Sequence, residues 1–207
     1  MVRAPGTSAR ALEVSKVRIV LFTRYPEPGR AKTRLIPALG EQGAADLHRR
    51  LTERTLEQVR AAGLPYEVRS TGRDLAAFVT WLGNAPVVDQ GDGDLGERLK
   101  RAAAPYPTIL IGADAPDLTA RHLQDAAAKL ENHDAVLGPA EDGGYWLLGL
   151  ARPCDTLFAG MAWGTDQVLP TTLARLHAVG ADVAMLPVLA DLDRPEDLGR
   201  WPELRSA

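Results

Sequence analysis

The chain alternates between short apolar runs and amphipathic segments. The run from Val17 to Phe22 is rich in β-branched residues, which predicts a buried strand. Between Glu41 and Ala62, apolar residues recur at three- and four-residue spacing, which predicts an amphipathic helix that ends at Gly63. Further pairs of a short apolar run and an amphipathic segment follow to the end of the chain. This alternation predicts an α/β fold in which a mainly parallel sheet lies between two layers of helices.

The same patterns place the other elements. Further strands are predicted at 65–70, 86–88, 108–111, 135–137, 146–150 and 182–188. Further helices are predicted at 74–82, from Leu95 through Ala103, from the cap Thr119 through Leu130, and at about 166–178. Residues 1–15 contain no long apolar run, so we predict a disordered tail there and a single domain at 16–207.

The loop that follows the first predicted strand carries the strongest signal for ligand binding. Proline and glycine residues interrupt helix and strand there. Four basic residues lie within eleven positions: Arg24, Arg30, Lys32 and Arg34. Ligands of open α/β sheets bind at the carboxyl ends of the strands, where cations and backbone N–H groups hold phosphate. We therefore predict a phosphate-binding loop at 23–34, with a solvated basic loop as the alternative.

Two carboxylates are candidates for binding a divalent metal ion. Asp114 follows the predicted strand at 108–111, and a strand-end carboxylate opposite a basic loop is suited to hold Mg²⁺ against a polyphosphate. Mg²⁺ usually takes one or two protein carboxylates. We therefore predict Asp193 as the second ligand, with Asp191 as its competitor. Helix capping or a turn is the alternative role of these carboxylates.

Three further segments are ambiguous between ligand binding and structure. Residues 90–98 form either a ligand-contacting loop or a polar turn before a helix. The run from Asp142 to Tyr145 either contacts substrate or forms an Asp-Gly hairpin. Trp163, beside a glycine, is either a lid contact or a packed core residue. The four histidines show no metal-binding spacing, and we assign them no catalytic role.

Composition restricts the possible partners. The 24 Lys and Arg residues against 27 Asp and Glu residues give a net charge of −3, which argues against a general binder of nucleic acid or anionic membranes. The single cysteine excludes an internal disulfide and suits a reducing cytoplasm. No apolar run is long enough to span a membrane. We expect a cytoplasmic protein whose partners are small molecules.

Six motifs, in order, resemble those of a known family. They run from about Val17 to Leu198 and read TRYPEPGRAKTRL, QGDGDLGERL, IGADAPDL, GPAEDGGYWLLGL, AWGTDQVL and DLDRPEDL. The order resembles the small glycosyltransferase-A-type (GT-A) family whose members are named radical-SAM/selenodomain-associated transferases. It is also similar to the 2-phospho-L-lactate guanylyltransferases and the molybdenum cofactor guanylyltransferases. The resemblance implies a Rossmann-like, nucleotide-diphospho-sugar transferase fold.

The resemblance implies roles for Arg30, Lys32, Arg34, Asp114 and Asp193 only. The other contact residues are expected from the loops in which they lie. Asp114 and Asp193 would bind Mg²⁺ or Mn²⁺, and Lys32, Arg34 and Asp114 would be catalytic. The expected nucleotide and phosphate contacts are Phe22, Thr23, Arg24, Gly29, Arg30, Lys32, Arg34 and Gly93. The expected substrate contacts are Asp142, Gly143, Gly144, Tyr145 and Trp163.

The expected reaction is metal-dependent nucleotidyl transfer from a nucleoside triphosphate to a small phosphorylated or anionic acceptor. Four cations on one loop suit a triphosphate better than a diphosphate. Glycosyl transfer from a nucleotide sugar is the alternative, and a nucleotide-binding module without activity is the third possibility. The sequence leaves open the base, the sugar, the acceptor and the oligomeric state.

Overall fold

The computed structural model of the chain describes residues 17–204. The predicted tail at 1–15 therefore lies outside the described residues. The strands within this range are β1 (Arg18–Arg24), β2 (Tyr66–Thr71), β3 (Val87–Asp89), β4 (Thr108–Ile111), β5 (Ala135–Pro139), β6 (Tyr145–Leu150) and β7 (Val183–Met185). The α-helices are α1 (Ile36–Ala61), α2 (Leu75–Leu82), α3 (Leu95–Ala103), α4 (Ala120–Leu130) and α5 (Val168–Ala178).

The described strands form one mixed sheet in the order β3-β2-β1-β4-β6-β5-β7. β1 pairs in parallel with β2 and β4, and the pairs β2–β3 and β5–β7 are also parallel. β6 runs antiparallel to both of its neighbours, β4 and β5. The prediction of an α/β fold with a mainly parallel sheet is confirmed.

Helices cover both faces of the sheet. Successive side chains of a strand point to opposite faces, so Ile19 and Leu21 pack on one side and Val20 on the other. α1, α2 and α4 contribute to the first of these cores, whereas α3 and α5 contribute to the second. The three-layer arrangement is therefore confirmed. Within residues 17–204, none of the helices combines the length and apolarity that a membrane crossing requires.

Several element boundaries differ from the predictions. β7 has three residues instead of the predicted 182–188, and Pro187 cannot donate to a strand ladder. β1 continues through Arg24, beyond the apolar run. α1 begins five residues earlier than predicted and contains a kink at Gly40, whose φ is +70°. The cap at Thr119 is confirmed, because its hydroxyl accepts a hydrogen bond from the backbone N–H of His122 at 3.4 Å.

Candidate functional site

Several of the predicted site residues, among them Lys32 and Asp114, lie where the direction of the sheet connections reverses. From β1 the chain proceeds outward to β2 and β3, and then returns to β4 on the other side of β1. Such a reversal opens a crevice at the carboxyl ends of the two central strands. The loop after β1 carries Lys32, and the loop after β4 carries Asp114. Both side chains therefore reach the crevice from neighbouring strands.

Lys32 lies at the centre of this cluster. Its side chain is only 4% exposed, and its Nζ lies 2.6 Å from Asp114 Oδ1 and 3.5 Å from Asp193 Oδ1. The ammonium group also donates to the carbonyl oxygen of Leu192 at 2.6 Å. The backbone of Lys32 has a φ of +47°, an uncommon conformation for a residue other than glycine. Leu192 N donates in turn to the Asp114 carbonyl at 2.8 Å, which fixes the segment after β7 to the end of β4.

The ion pairs keep both central groups charged. Burial favours neutral lysine, but the paired carboxylates of Asp114 and Asp193 raise the pKa of Lys32 above its ordinary value. Desolvation likewise opposes ionisation of Asp114, and the Lys32 ammonium outweighs it, so the pKa of Asp114 lies below its ordinary value. Near neutral pH the site therefore holds the Lys32 cation against the Asp114 carboxylate.

The four basic residues of the predicted phosphate-binding loop occupy different environments. Arg34 pairs with Asp193 Oδ2 through its Nη1 and is 54% exposed. Arg30 is 71% exposed and lies 3.6 Å from Glu27 in the turn that contains Gly29, whose φ is +76°. Arg24 is also exposed. The structure thus brings Lys32 and Arg34 to the carboxylates and leaves Arg30 on the outer surface of the loop.

A cavity of about 310 Å³ lies beside this cluster. Among the predicted site residues, it is lined by Phe22, Asp114, Asp142, Gly144, Tyr145 and Trp163, together with Asp191. Burial raises the pKa of the Tyr145 phenol above its ordinary value. Gly93 and Gly143 do not line the cavity. The carbonyl oxygen of Gly93, which lies just before α3, accepts a hydrogen bond from Arg98 Nε. Gly143 packs against Asp166.

The hairpin and the substrate interpretations of 142–145 are compatible. The segment turns the chain from β5 into the antiparallel β6, and Asp142 Oδ1 accepts from Gly144 N at 2.8 Å. The same turn presents Asp142 to the cavity. Trp163 is likewise both half-buried against the second core and part of the cavity wall.

Asp191 is a carboxyl group of the cavity whose pKa is strongly raised. Burial, followed by repulsion from Asp142 and Asp114, raises its pKa to about 7. Asp193 instead points to Lys32 and Arg34. The two competing aspartates of the DLDRPEDL motif therefore have distinct surroundings.

Thr23 faces away from the cavity. Its hydroxyl lies 3.0 Å from Thr52 Oγ1 and 3.3 Å from His48 Nε2, both on α1. His48 also lies 3.1 Å from the carbonyl of Arg24, and desolvation lowers its pKa despite the nearby Asp114 carboxylate. Sequence reasoning missed this buried histidine, although its position on the apolar stripe of the predicted helix was a signal of burial.

Gln90 is a second residue that sequence reasoning missed. It is 6% exposed, and its Nε2 donates to the carbonyls of Thr23 and Arg69, both at 3.0 Å. It thereby ties the carboxyl ends of β1 and β2 together. The signal was a glutamine immediately after a short strand, at the start of the glycine-rich loop.

The site residues fit a divalent cation that has few protein ligands. Within residues 17–204, no three acidic, histidine or cysteine side chains form a group that could hold a metal by itself. Carboxylate oxygens are nevertheless the donors that Mg²⁺ and Mn²⁺ prefer, and Mg²⁺ commonly takes only one or two from the protein. A cation would also relieve the repulsion that raises the pKa of Asp191.

Sequence comparison places the chain in a family. The family described as "Uncharacterized protein conserved in bacteria (DUF2064)" matches residues 55–165, which is more than half of the chain. The chain belongs to this family. No curated protein matches the sequence.

Three solved structures illustrate the structural relationships of this DUF2064 protein. A protein of Desulfovibrio desulfuricans G20, assigned to the nucleotide-diphospho-sugar transferases, has a TM-score of 0.82 and 29% identity over 92% of this chain and 97% of its own. CMP:2-keto-3-deoxy-manno-octonic acid synthetase complexed with CTP has a TM-score of 0.56 and 13% identity over 92% and 98%. Rv0371c of Mycobacterium tuberculosis H37Rv, complexed with manganese, has a TM-score of 0.52 and 20% identity over 90% and 97%.

The two more distant similarities show a shared fold alone. Together with the Desulfovibrio structure, they identify the fold of nucleotide-diphospho-sugar transferases and nucleotidyltransferases. The resemblance found from the six sequence motifs is therefore confirmed.

Proposed function

We propose that this protein is a divalent-metal-dependent transferase that moves a nucleotidyl group from a nucleoside triphosphate to a small acceptor. The observation that carries the proposal is the buried Lys32 ammonium, held between Asp114 and Asp193 at the crevice between β1 and β4. Transfer of a phosphoryl-type group needs positioned cations and carboxylates more than a covalent nucleophile. The cluster supplies both types of group.

The carboxylates would hold the metal ion. Asp114 is the first ligand in this proposal, and Asp193 is the second, with Asp191 as the alternative. Bound Mg²⁺ or Mn²⁺ would supply Lewis-acid stabilisation of charge on the phosphate oxygens. The manganese complex of the structurally similar Rv0371c supports this choice of metal.

Lys32 and Arg34 would bind and orient the phosphate groups. Both are paired with carboxylates here, so a cation at those carboxylates would leave their charges available to phosphate oxygens. Preorganised positive groups stabilise charge that develops in a transition state. The CTP complex of the structurally similar synthetase supports a triphosphate as the substrate.

Glycosyl transfer from a nucleotide sugar is the second candidate. The Desulfovibrio protein favours this function, because it is 29% identical to this chain and is assigned to the nucleotide-diphospho-sugar transferases. The same cluster would then bind the diphosphate that leaves with the nucleoside.

Calorimetry of Asp114→Asn tests the metal-binding part of the proposal. Nucleoside triphosphates should bind the wild type with Mn²⁺ and bind weakly with EDTA. The variant should lose at least about tenfold in affinity with Mn²⁺, because a charge-assisted contact contributes about 1.5–3 kcal/mol. An unchanged metal dependence would remove Asp114 from the site.

Asp125→Asn is a matched control, since Asp125 is a half-buried aspartate on α4, away from the cavity lining, that pairs only with Arg121 at 2.9 Å among the ion pairs of the described residues. It should bind like the wild type. Comparison of Asp193→Asn with Asp191→Asn identifies the second ligand as the residue whose change weakens Mn²⁺-dependent binding more strongly.

A further inference from the structure

The cavity beside the Lys32 cluster has two chemically different walls. One wall consists of aromatic and aliphatic side chains: Phe22, Leu95, Leu99, Leu110, Leu148 and Trp163. Leu95 is 42% exposed at this wall. The other wall carries the carboxyl groups of Asp114, Asp142 and Asp191. An apolar pocket with a few converging polar groups is typical of small-molecule sites.

Asp114 is paired with Lys32, which lies outside the lining, whereas Asp142 and Asp191 have no basic partner among the ion pairs of the described residues. Neither lysine nor arginine occurs among the described residues that line it. The two nearest cations are already paired, Lys32 with Asp114 and Asp193, and Arg34 with Asp193. An anion in the cavity would therefore lie beside the unpaired Asp142 carboxyl group, and no lysine or arginine of the lining would offset the repulsion.

We propose that this cavity binds the acceptor of the transfer reaction, and that the acceptor is an uncharged or cationic hydroxyl compound with an apolar body. The apolar body would lie against Phe22 and Trp163, and its polar end would face Asp142 and Asp191. This inference rests on the proposed transferase function. It replaces the phosphorylated or anionic acceptor expected from the sequence.

The cavity also suits a molecule of modest size. Its volume of about 310 Å³ lies at the lower end of the range for ligand pockets, roughly 300–1,000 Å³. In this proposal the nucleotide phosphates lie outside it, at Lys32 and Arg34, which do not line the cavity. The two substrates would then meet at Asp114, which belongs to both the ion-pair cluster and the cavity lining.

Three probes of equal shape and different charge test this inference. Cyclohexylmethanol, cyclohexylmethylamine and cyclohexanecarboxylate are transparent where tryptophan absorbs, and Trp146 and Trp163 line the cavity. Their binding is measured by tryptophan fluorescence and by ligand-observed NMR, with EDTA and again with millimolar Mg²⁺. We expect the amine and the alcohol to bind at least about tenfold more tightly than the carboxylate with EDTA. With Mg²⁺ the three probes should keep the same order of affinity, and the difference in affinity between them should be smaller.

Two variants show whether Asp142 causes the preference for the amine over the carboxylate. Asp142→Asn retains an oxygen that accepts the hydrogen bond from Gly144 N, so the turn is preserved while one negative charge is removed. It should reduce the preference for the amine over the carboxylate several-fold. Asp125→Asn, on α4 away from the cavity lining, should leave that preference unchanged.

Two outcomes overturn the inference: carboxylate binding as tight as that of the alcohol, or no binding of any probe. Either could occur while nucleoside triphosphates still bind and react, which would leave the transferase proposal intact. Conversely, the expected order of probes together with absent nucleotide binding would refute the transferase and retain a site for uncharged or cationic ligands.

Discussion

Burial distinguishes Lys32 from the other basic residues of its loop. Lys32 is 4% exposed between two carboxylates, whereas Arg30 is 71% exposed beside Glu27. Sequence alone treats both as members of one basic run, because spacing does not reveal which side chain is enclosed. The positive φ of Lys32 also depends on the folded loop and has no sequence signal, since the residue is not glycine.

Lys32→Ala and Arg30→Ala should therefore affect triphosphate binding differently. Loss of a charge-assisted hydrogen bond contributes about 1.5–3 kcal/mol, so Lys32→Ala should weaken binding roughly ten- to a hundredfold. Lys32→Arg should restore little of this affinity, because a guanidinium places its donors differently. Arg30→Ala should change affinity by less than about threefold, as is usual for exposed charges. Calorimetry with Mn²⁺ measures all three, and equal losses for Lys32→Ala and Arg30→Ala would contradict the assigned roles.

Asp191 should make the metal-free protein less stable as pH rises. Its pKa is raised from 3.8 to about 7, so between these values the folded state keeps a proton that the unfolded state has lost. Stability therefore decreases as pH rises through this window and is fully regained below it. Asp191→Asn should show a smaller decrease in melting temperature from about pH 4 to pH 7.5 than the wild type. The prediction fails if both proteins have the same pH dependence of melting temperature in EDTA.

Among the elements, local patterns predicted the strands and helices well and their arrangement only in part. The apolar run of β4 and the cap at Thr119 are local signals, and both predictions are confirmed. The insertion of β6 between β4 and β5 depends on packing between distant segments, which periodicity does not encode. The Asp142-Gly143 turn did signal an antiparallel pair. Lys32 and Asp114, which both follow strand ends, meet at the crevice, and their functional roles stay predictions. His48 and Gln90 are instead defined by contacts across elements.

The turn between β5 and β6 contacts the segment before α5, and this contact predicts how a change in the turn affects stability. A Cβ at Gly143 would lie 2.6 Å from Asp166 Cα, and the φ of Gly143 is +87°. Gly143→Ala should therefore destabilise the protein by about 2–4 kcal/mol, from backbone strain and overpacking together. It should also weaken ligand binding in the cavity, because Asp142 and Gly144 would shift.

Gly180→Ala provides the matched control. Gly180 has a φ of +67°, but apart from its chain neighbours no heavy atom lies within 4 Å of the position that a Cβ would occupy. Gly180→Ala should lower the free energy of unfolding through backbone strain alone, by about 1 kcal/mol. Chemical denaturation measures both variants, and equal losses of stability would show that the close approach to Asp166 has no energetic consequence.

In the whole molecule, the residues of the sequence motifs meet at the carboxyl edge of one sheet. A chain with a net charge of −3 places Lys32 and Arg34 against Asp114 and Asp193, beside an acidic and apolar cavity. This division supports a phosphate-binding region and an acceptor-binding region that share Asp114. The central claim is that the nucleotide is cleaved between its α- and β-phosphates.

Product analysis with labelled triphosphates tests that claim most directly. The protein is incubated with Mg²⁺, a panel of uncharged and cationic hydroxyl acceptors, and each triphosphate labelled at either the α- or the γ-phosphate. The account predicts that the α-label enters an acceptor product while the γ-label is released as pyrophosphate, and that both events are lost in Asp114→Asn. Parallel incubations replace the triphosphate by a nucleotide sugar. Release of nucleoside diphosphate there, with every triphosphate left intact in the first set, would contradict the account.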